Sequence, residues 1–391
     1  MSKQINLSLD KFILSIYSIC VFLYAILQSE ISSQSYFLKM VILGSFVVLI
    51  ILGLNFKIRY QSKIALKEGI VLLMFTALLL YSIIFNGYEN GTIFIIPFCY
   101  LLKDSKVDDI LEKYCFSTFL ALIFVVGLSK VGILRNVVVI NYLKSRQSLG
   151  FLWATFGPNM FLSATLAYIA YKKEDIHIWQ ILLLFLTNTY LYRATVTLAT
   201  YICVNISLLL ALLGKINDFR HIIITNKVTR FLLSNVVFAI AILTIALQMY
   251  YNTHANGSIF WQELNKTTSY RLGLGQYAFT NYKVSLLGQY MNWKQDTAHN
   301  YFYLDSSYIS ILFNCGVVML LLICIIMDFV SRYGVVTGDY YLVIAIAVFS
   351  IHCISDPQMI DFRNNVFLML FIQSIVRMRQ NNNNRAIIGM E

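Results

Sequence analysis

The sequence predicts an all-α, polytopic membrane protein with about twelve transmembrane helices and one large outer loop, 252–304, between spans nine and ten. Three observations predict it. Of the 391 residues, 59% are apolar and only 13% are charged, with a mean hydropathy of +0.70. Soluble domains run at roughly 45–50% apolar and about 25% charged. Charge-free stretches recur along the chain, and the apolar stock suffices for roughly eleven or twelve spans of about 20 residues each. Only three prolines interrupt the chain, so long helices can form. A cytosolic enzyme, a secreted domain and a disordered chain are excluded, because a soluble protein this apolar could not cover its surface with polar groups. The whole of 1–391 reads as a single integral membrane domain.

In order, the spans are 12–29, 40–56, 69–88, 90–102, 114–129, 147–171, 176–192, 194–214, 231–262, 306–327, 340–355 and 364–376. The first lacks an A-x-A-like cleavage site and reads as a span rather than a signal peptide. The stretches 90–102 and 364–376 hold thirteen residues each, so they must borrow flanking residues or sit short. The first part of 147–171, through Pro158, belongs to the preceding loop. Seven cysteines (Cys20, Cys99, Cys115, Cys203, Cys315, Cys324 and Cys353) all lie in apolar runs without a CxxC pair. They read as small buried hydrophobes rather than as a disulfide framework or zinc site.

Net charge is +11, which in a membrane protein reports topology before nucleic acid. With the N-terminus placed in the cytoplasm, alternation puts 19 of the 30 Lys and Arg residues inside, so both termini are expected to be cytoplasmic. The exceptions carry the information. Eight of the eleven outward cations sit in two segments, 130–157 and 252–304. The second is 53 residues long and rich in Phe, Tyr and Trp, which suits a packed, functional loop better than a disordered one.

The outer face combines Arg and Lys, three of the four tryptophans (Trp153, Trp261, Trp293), many tyrosines and His299. Arginine forks grip phosphate oxygens in pairs. Aromatic rings offer flat apolar surfaces on which sugars stack. Together they suit a lipid-linked, phosphate-bearing sugar; an interfacial aromatic belt with ordinary loop cations is the alternative. No DxD motif or outward carboxylate cluster suggests a metal, and no P-loop or GxGxxG suggests a nucleotide, so neither metal nor cofactor is expected.

Four elements then resemble those of bacterial O-antigen and capsular polysaccharide repeat-unit polymerases of the Wzy type, in the O-antigen ligase/polymerase superfamily. Arg146-Gln147-Ser148-Leu149-Gly150-Phe151 with Pro158-Asn159 resembles the family's "R-S-x-G-F … P-N". Ser269-Tyr270-Arg271-Leu272 ahead of Leu286-Leu287-Gly288 resembles "S-x-R … x-x-G". His299-Asn300-Tyr301, Leu304-Asp305-Ser306-Ser307-Tyr308 and Asn314-Cys315-Gly316-Val317 resemble "H-N … (L)D-x-x-Y … G-(I/V)". Asp356-Pro357 through Asn365-Val366-Phe367-Leu368 resembles the last-hairpin pattern. The set occurs in family order across 146–368. One departure is Tyr192-Arg193, where the family often shows a Ser-Arg pair.

The resemblance implies an inner-membrane glycosyltransferase, metal-independent, that moves a growing glycan from undecaprenyl pyrophosphate to the terminal sugar of a new lipid-linked repeat unit. Its partners would be that lipid-linked oligosaccharide, membrane lipids, and possible accessory proteins, a chain-length regulator and a flippase; no nucleic acid is implied. Loop 252–304 would then be periplasmic. Arg271, Arg146 and Arg193 are the candidates for gripping the pyrophosphate, against headgroup snorkelling. His299, with an ordinary pKa near 6.5, is the candidate base, against a donor that fixes the loop end. Asp305 suits an N-cap for the next span, or a contact with substrate or an arginine. Asn300 and Tyr308 are supporting candidates, and the three tryptophans are candidates for stacking sugar. An O-antigen ligase uses the same donor and stays open as a reading. A lipid-linked oligosaccharide flippase is the alternative from another class.

Overall fold

The computed structural model describes residues 2–60, 66–88, 92–141, 144–255, 258–293 and 302–388. Helix α1 (Ser2–Ile26) leads through the short α2 (Ile31–Gln34) to two long apolar helices, α3 (Tyr36–Tyr60) and α4 (Leu66–Asn86). The seven-residue α5 (Ile95–Leu101) precedes α6 (Val107–Lys130). An antiparallel hairpin of β1 (Val138–Asn141) and β2 (Lys144–Gln147) leads into α7 (Phe156–Lys172), α8 (Ile178–Thr195) and α9 (Leu198–Leu213). Short α10 (Asn217–Thr225) and α11 (Lys227–Ser234) precede α12 (Val236–His254). The large loop contributes α13 (Ile259–Thr267) and α14 (Arg271–Asn281). Then come α15 (Ser307–Asn314), α16 (Gly316–Thr337), α17 (Tyr340–His352), α18 (Val366–Met369) and α19 (Phe371–Ile388).

Among the described residues, six helices are long and apolar enough to cross a membrane: α1, α3, α4, α6, α12 and α16. The pair α9–α10, bent by 105°, makes a seventh if counted as one span. Every apolar stretch read from the sequence holds a helix, but several are too short to span on their own. Stretch 90–102 yields α5, and 364–376 yields the four-residue α18 followed by α19. Helices α5 and α18 pack together inside the bundle, where Phe98, Leu101, Phe367 and Leu368 are fully buried. Short helices are tolerated at such depth when protein, not lipid, surrounds their ends.

Burial sorts the helices. In α3 and α4 only 17% and 22% of the spanning window is buried, so both show lipid most of their apolar surface. In α16 the figure is 61%, and α17 is buried on nearly every side, against α7, α9, α12 and α16. All seven cysteines are free and buried, as small hydrophobes should be.

The two ends of the bundle differ in kind. One end carries ordinary charge pairs: Lys57 with Asp104 at 2.8 Å, and Lys173 bridging Asp108 and Asp339, both at 2.9 Å. There Asp328 of α16 caps α12, its carboxylate accepting from the N–H groups of Val237 (2.8 Å) and Phe238 (3.1 Å). The opposite end gathers the hairpin, the large loop, the start of α15 and the turn between α17 and α18. The described parts of 130–157 and 252–304, which carry most of the exceptional cations, therefore share one end.

The large loop is folded. Ala278, Met291, Phe302, Leu304, Ile309 and Phe313 form a core of their own, with Trp293 stacked 5.5 Å from Phe302. Residues 285–289 wedge into the break between α15 and α16: Val317 and Val318 donate to the carbonyls of Ser285 and Leu286, both at 3.1 Å, and Gln289 donates to Phe313 at 3.0 Å. Gly288 (φ +81) and Gly316 (φ +87) face each other there, and a Cβ on Gly316 would lie 2.4 Å from the Gly288 nitrogen. Only glycine permits both the conformation and the approach. Buried Asn86 ties the wedge to α4, donating to the carbonyls of Leu287 (2.9 Å) and Asn314 (2.6 Å).

Candidate functional site

Arg146 lies on β2 opposite Val139. The hairpin is closed by Ser148, whose N–H donates to Val137 and whose hydroxyl accepts from the Val137 N–H, both at 2.9 Å. Beyond it the chain is tied to the end of α1, with Glu30 donating to Gly150 (2.8 Å) and Leu152 to Gln28 (2.9 Å). Thus fixed, Arg146 donates from Nε to the Thr195 carbonyl at the end of α8 (3.0 Å). Its terminal guanidinium nitrogens make no hydrogen bond with a described residue.

Arg271 opens α14. Ser269 and Tyr270 before it are both left-handed, at φ +57 and +64. The Asn265 side chain accepts from the Gly273 N–H (2.9 Å), and Gln248 of α12 donates to the Leu272 carbonyl (2.9 Å). Arg271 donates from Nε to Asp305 Oδ2 at 3.1 Å. Its terminal nitrogens, like those of Arg146, are uncommitted among the described residues. A cation at a helix N-terminus opposes the helix dipole, a position that favours anions.

The two arginines are close enough to repel. Burial first, and then the like charge of Arg271, pull the Arg146 guanidinium below its ordinary value, while Asp305 and Asp356 act the other way. Burial pushes the Asp305 carboxyl up, against the attraction of Arg271 and Arg146. Asp356, from the turn after α17, completes the cluster. Burial and then the charge of Asp305 push its carboxyl up to about 7, against Arg271, Asn159 and Gln358.

A buried polar chain runs from Asp356 into the helices. The Thr200 hydroxyl donates to Asn159 Oδ1 (2.8 Å) and lies 3.2 Å from His352 Nε2, itself 3.9 Å from Asp356 Oδ2. Ser307 donates to the Asp356 carbonyl (2.5 Å) and accepts from the Met359 N–H (3.1 Å), which fixes the turn.

The backbone is strained around this cluster. Five non-glycine residues among those described have positive φ, and four of them, Leu149, Val196, Ser269 and Tyr270, flank the segments that carry Arg146, Thr195 and Arg271. Such conformations cost energy and persist where surrounding structure holds them.

The structure thus brings together Arg146, Arg271 and Asp305 of the sequence-read candidates. Asp305 does not cap α15: the N-cap position is Ser306, which makes no side-chain cap bond, and Asp305 faces Arg271 instead. Arg193 sits on the last turn of α8, exposed and without an ion pair among the described residues. Tyr308 is fully buried and donates to the Ser350 carbonyl (3.0 Å), joining α15 to α17. Trp153 is 53% exposed. Trp261 packs on Tyr250 and Tyr251, and Trp293 belongs to the loop core. His299 and Asn300 lie outside the described residues.

Sequence reasoning missed His352, Thr200 and the place of Asp356. The available signal was a histidine at the end of an apolar run with an aspartate four residues on, since ionisable groups at membrane depth are costly and usually functional. The Asn365 motif proves to be a helix cap, its oxygen accepting from Leu368 N–H (3.1 Å). Comparison with known proteins gave no matching family model, no matching curated protein and no matching solved structure.

Proposed function

We propose that this protein is a Wzy-type repeat-unit polymerase of about twelve passes, with both termini cytoplasmic and the 252–304 loop periplasmic. The site receives two lipid-linked glycans at the outer face of the inner membrane. One observation carries the reading: Arg146 and Arg271, from distant segments, are each anchored through Nε and keep their terminal nitrogens uncommitted. A fork held by its stem and free at its tips suits the bidentate grip on a diphosphate.

In this reading an acceptor hydroxyl attacks the anomeric carbon of the donor sugar. The bond from that carbon to the diphosphate oxygen breaks, and its electron pair leaves on the diphosphate. Arg146 and Arg271 meet the developing negative charge, in a partly buried setting where such charges interact more strongly than in water. The hydroxyl proton passes to His299, the proposed base. Arg271 keeps its Nε bond to Asp305 while its tips take the diphosphate, so Asp305 holds the clamp in place. Exposed Trp153 offers the glycan a stacking surface.

The test is reconstitution. Purified protein in liposomes with lipid-linked repeat units should build a ladder of glycans that lengthens with time. Passage of intact lipid-linked units across the bilayer without a ladder, or transfer only to a lipid A core acceptor, would overturn the proposal.

A further inference from the structure

Asp356 has no part in the clamp as just described, yet it lies in the same cluster. Its side chain is only 14% exposed, and the Ser307 staple fixes its turn. The groups facing it are Asp305 ahead of α15, Arg271 of α14, Arg146 of β2, and His352 and Cys353 at the end of α17, with Gln358 donating to its Oδ1 at 3.0 Å. His352 Nε2 lies 3.9 Å from Asp356 Oδ2, beyond hydrogen-bond distance.

The charges do not balance once a diphosphate enters. Two guanidiniums face two carboxylates in the empty site. A diphosphate with an organic group at each end brings two more negative charges, in a setting that penalises unpaired charge. Asp305 has Arg271 Nε as its partner, whereas Asp356 makes no ion pair with an arginine among the described residues and is held by its turn.

We propose that Asp356 binds the diphosphate as a neutral carboxylic acid, donating its proton to an oxygen gripped by Arg146 and Arg271, so that an ionised Asp356 takes up a proton as the diphosphate binds. The proposal rests on the diphosphate reading above and adds the group that makes binding proton-linked. A carboxyl at about 7 is half protonated at neutral pH, and a neighbouring dianion raises it further. Binding requires the protonated form, so affinity falls as pH rises through that value. From pH 6 to pH 8 the loss is about tenfold, one pKa unit's worth beyond the midpoint.

The experiment measures binding of a short-chain polyprenyl-diphosphoryl-N-acetylglucosamine to the full chain in detergent micelles. Each phosphate of that probe carries one fixed charge, so the probe itself does not titrate between pH 6 and 8. Wild type should bind about tenfold more weakly at pH 8 than at pH 6. Calorimetry in two buffers of different ionisation enthalpy should show proton uptake near neutral pH. Asp356→Asn, whose amide mimics the neutral acid, should bind equally at both pH values and more tightly than wild type at pH 8. A wild type with no pH dependence and no proton uptake, or Asp356→Asn that keeps the tenfold loss, overturns the role of Asp356. Arg271→Ala separates the two levels of the argument. If it binds as wild type does at both pH values, the diphosphate reading itself fails; if it loses binding while Asp356→Asn behaves as wild type, only the proton linkage fails.

Discussion

Replacing Arg271 by lysine keeps the charge and removes the fork. In the empty site Arg271 spends only Nε, at 3.1 Å from Asp305, so both terminal nitrogens are available for phosphate oxygens. A hydrogen bond to a charged group contributes about 1.5–3 kcal/mol. Lysine keeps one such contact and loses the second, so Arg271→Lys should slow polymerisation by about 2 kcal/mol of barrier, roughly thirtyfold. Arg271→Ala loses both and leaves Asp305 unpaired beside the diphosphate. The Arg271–Asp305 pair is about a quarter exposed on each side, which discounts any buried-charge penalty. A further 1–2 kcal/mol is a fair increment, giving a total of about 3–4 kcal/mol, roughly 10²–10³-fold. Adding Asp305→Asn to Arg271→Ala removes the unpaired carboxylate and should recover about tenfold. The assay is the rate of ladder formation in liposomes, normalised to correctly inserted protein. Arg271→Lys within threefold of wild type, with normal accumulation, would refute the two-pronged grip.

Four further outcomes are expected. Gly316→Ala puts a Cβ 2.3 Å from the Leu286 carbonyl oxygen at φ +87; strain of about 1–2 kcal/mol and two lost hydrogen bonds of about 1 kcal/mol each should lower the thermal midpoint in detergent and expose 282–293 to protease. His299→Ala should slow transfer by roughly 10²–10⁴-fold while leaving diphosphate binding intact, and near-normal laddering would remove it as the base. Cysteines placed at Lys266 and Lys283 should react with an impermeant reagent from the periplasmic side; labelling only after the inner membrane is broken would reverse the orientation. Polymerisation should continue in excess EDTA, because two arginines meet the leaving-group charge; loss that Mg²⁺ restores would require a metal at the acidic groups.

Apolar stretches located helices because a helix in lipid or in a protein core needs the same side chains. For that reason they could not give lengths or depths. Stretch 90–102 looks like a thin span, but its residues are buried by neighbours and need not cross hydrocarbon, so α5 stops after seven residues. Stretch 306–327 contains the α15–α16 break, whose signal was Gly316 alone; the partner that makes the break necessary, Gly288, comes from the distant loop. Arg146 and Arg271 were readable as types of residue, but their meeting depends on a hairpin, the end of α8 and the turn before α14, which four left-handed residues flank or form and which no periodicity reports. Asp305 had the local sequence of a cap, and the tertiary pull of Arg271 outcompeted that role.

The elements that resemble the polymerase pattern divide into two kinds once their contacts are known. Gly288 and Gly316 interlock, Asn365 caps a helix and Tyr308 ties α15 to α17, all of which the fold alone would demand. These say nothing about chemistry. The arginines do, and Arg363 supplies the internal standard. It is 16% exposed, donates from Nε and a terminal nitrogen to Asp361 at 2.6–3.1 Å, and lies 5.1 Å over the Tyr24 ring. That is how this protein satisfies a deeply buried arginine: Asp361 takes Nε and one terminal nitrogen, and the Gln28 amide oxygen accepts from the other at 2.6 Å, as the cost of burying the charge requires. Arg146 and Arg271 lie at the same end of the bundle, less deeply buried than Arg363, and each commits a single nitrogen. Uncommitted tips beside strained backbone are what the proposed grip needs, and an anion with oxygens spaced for two forks, such as a diphosphate, would fill them.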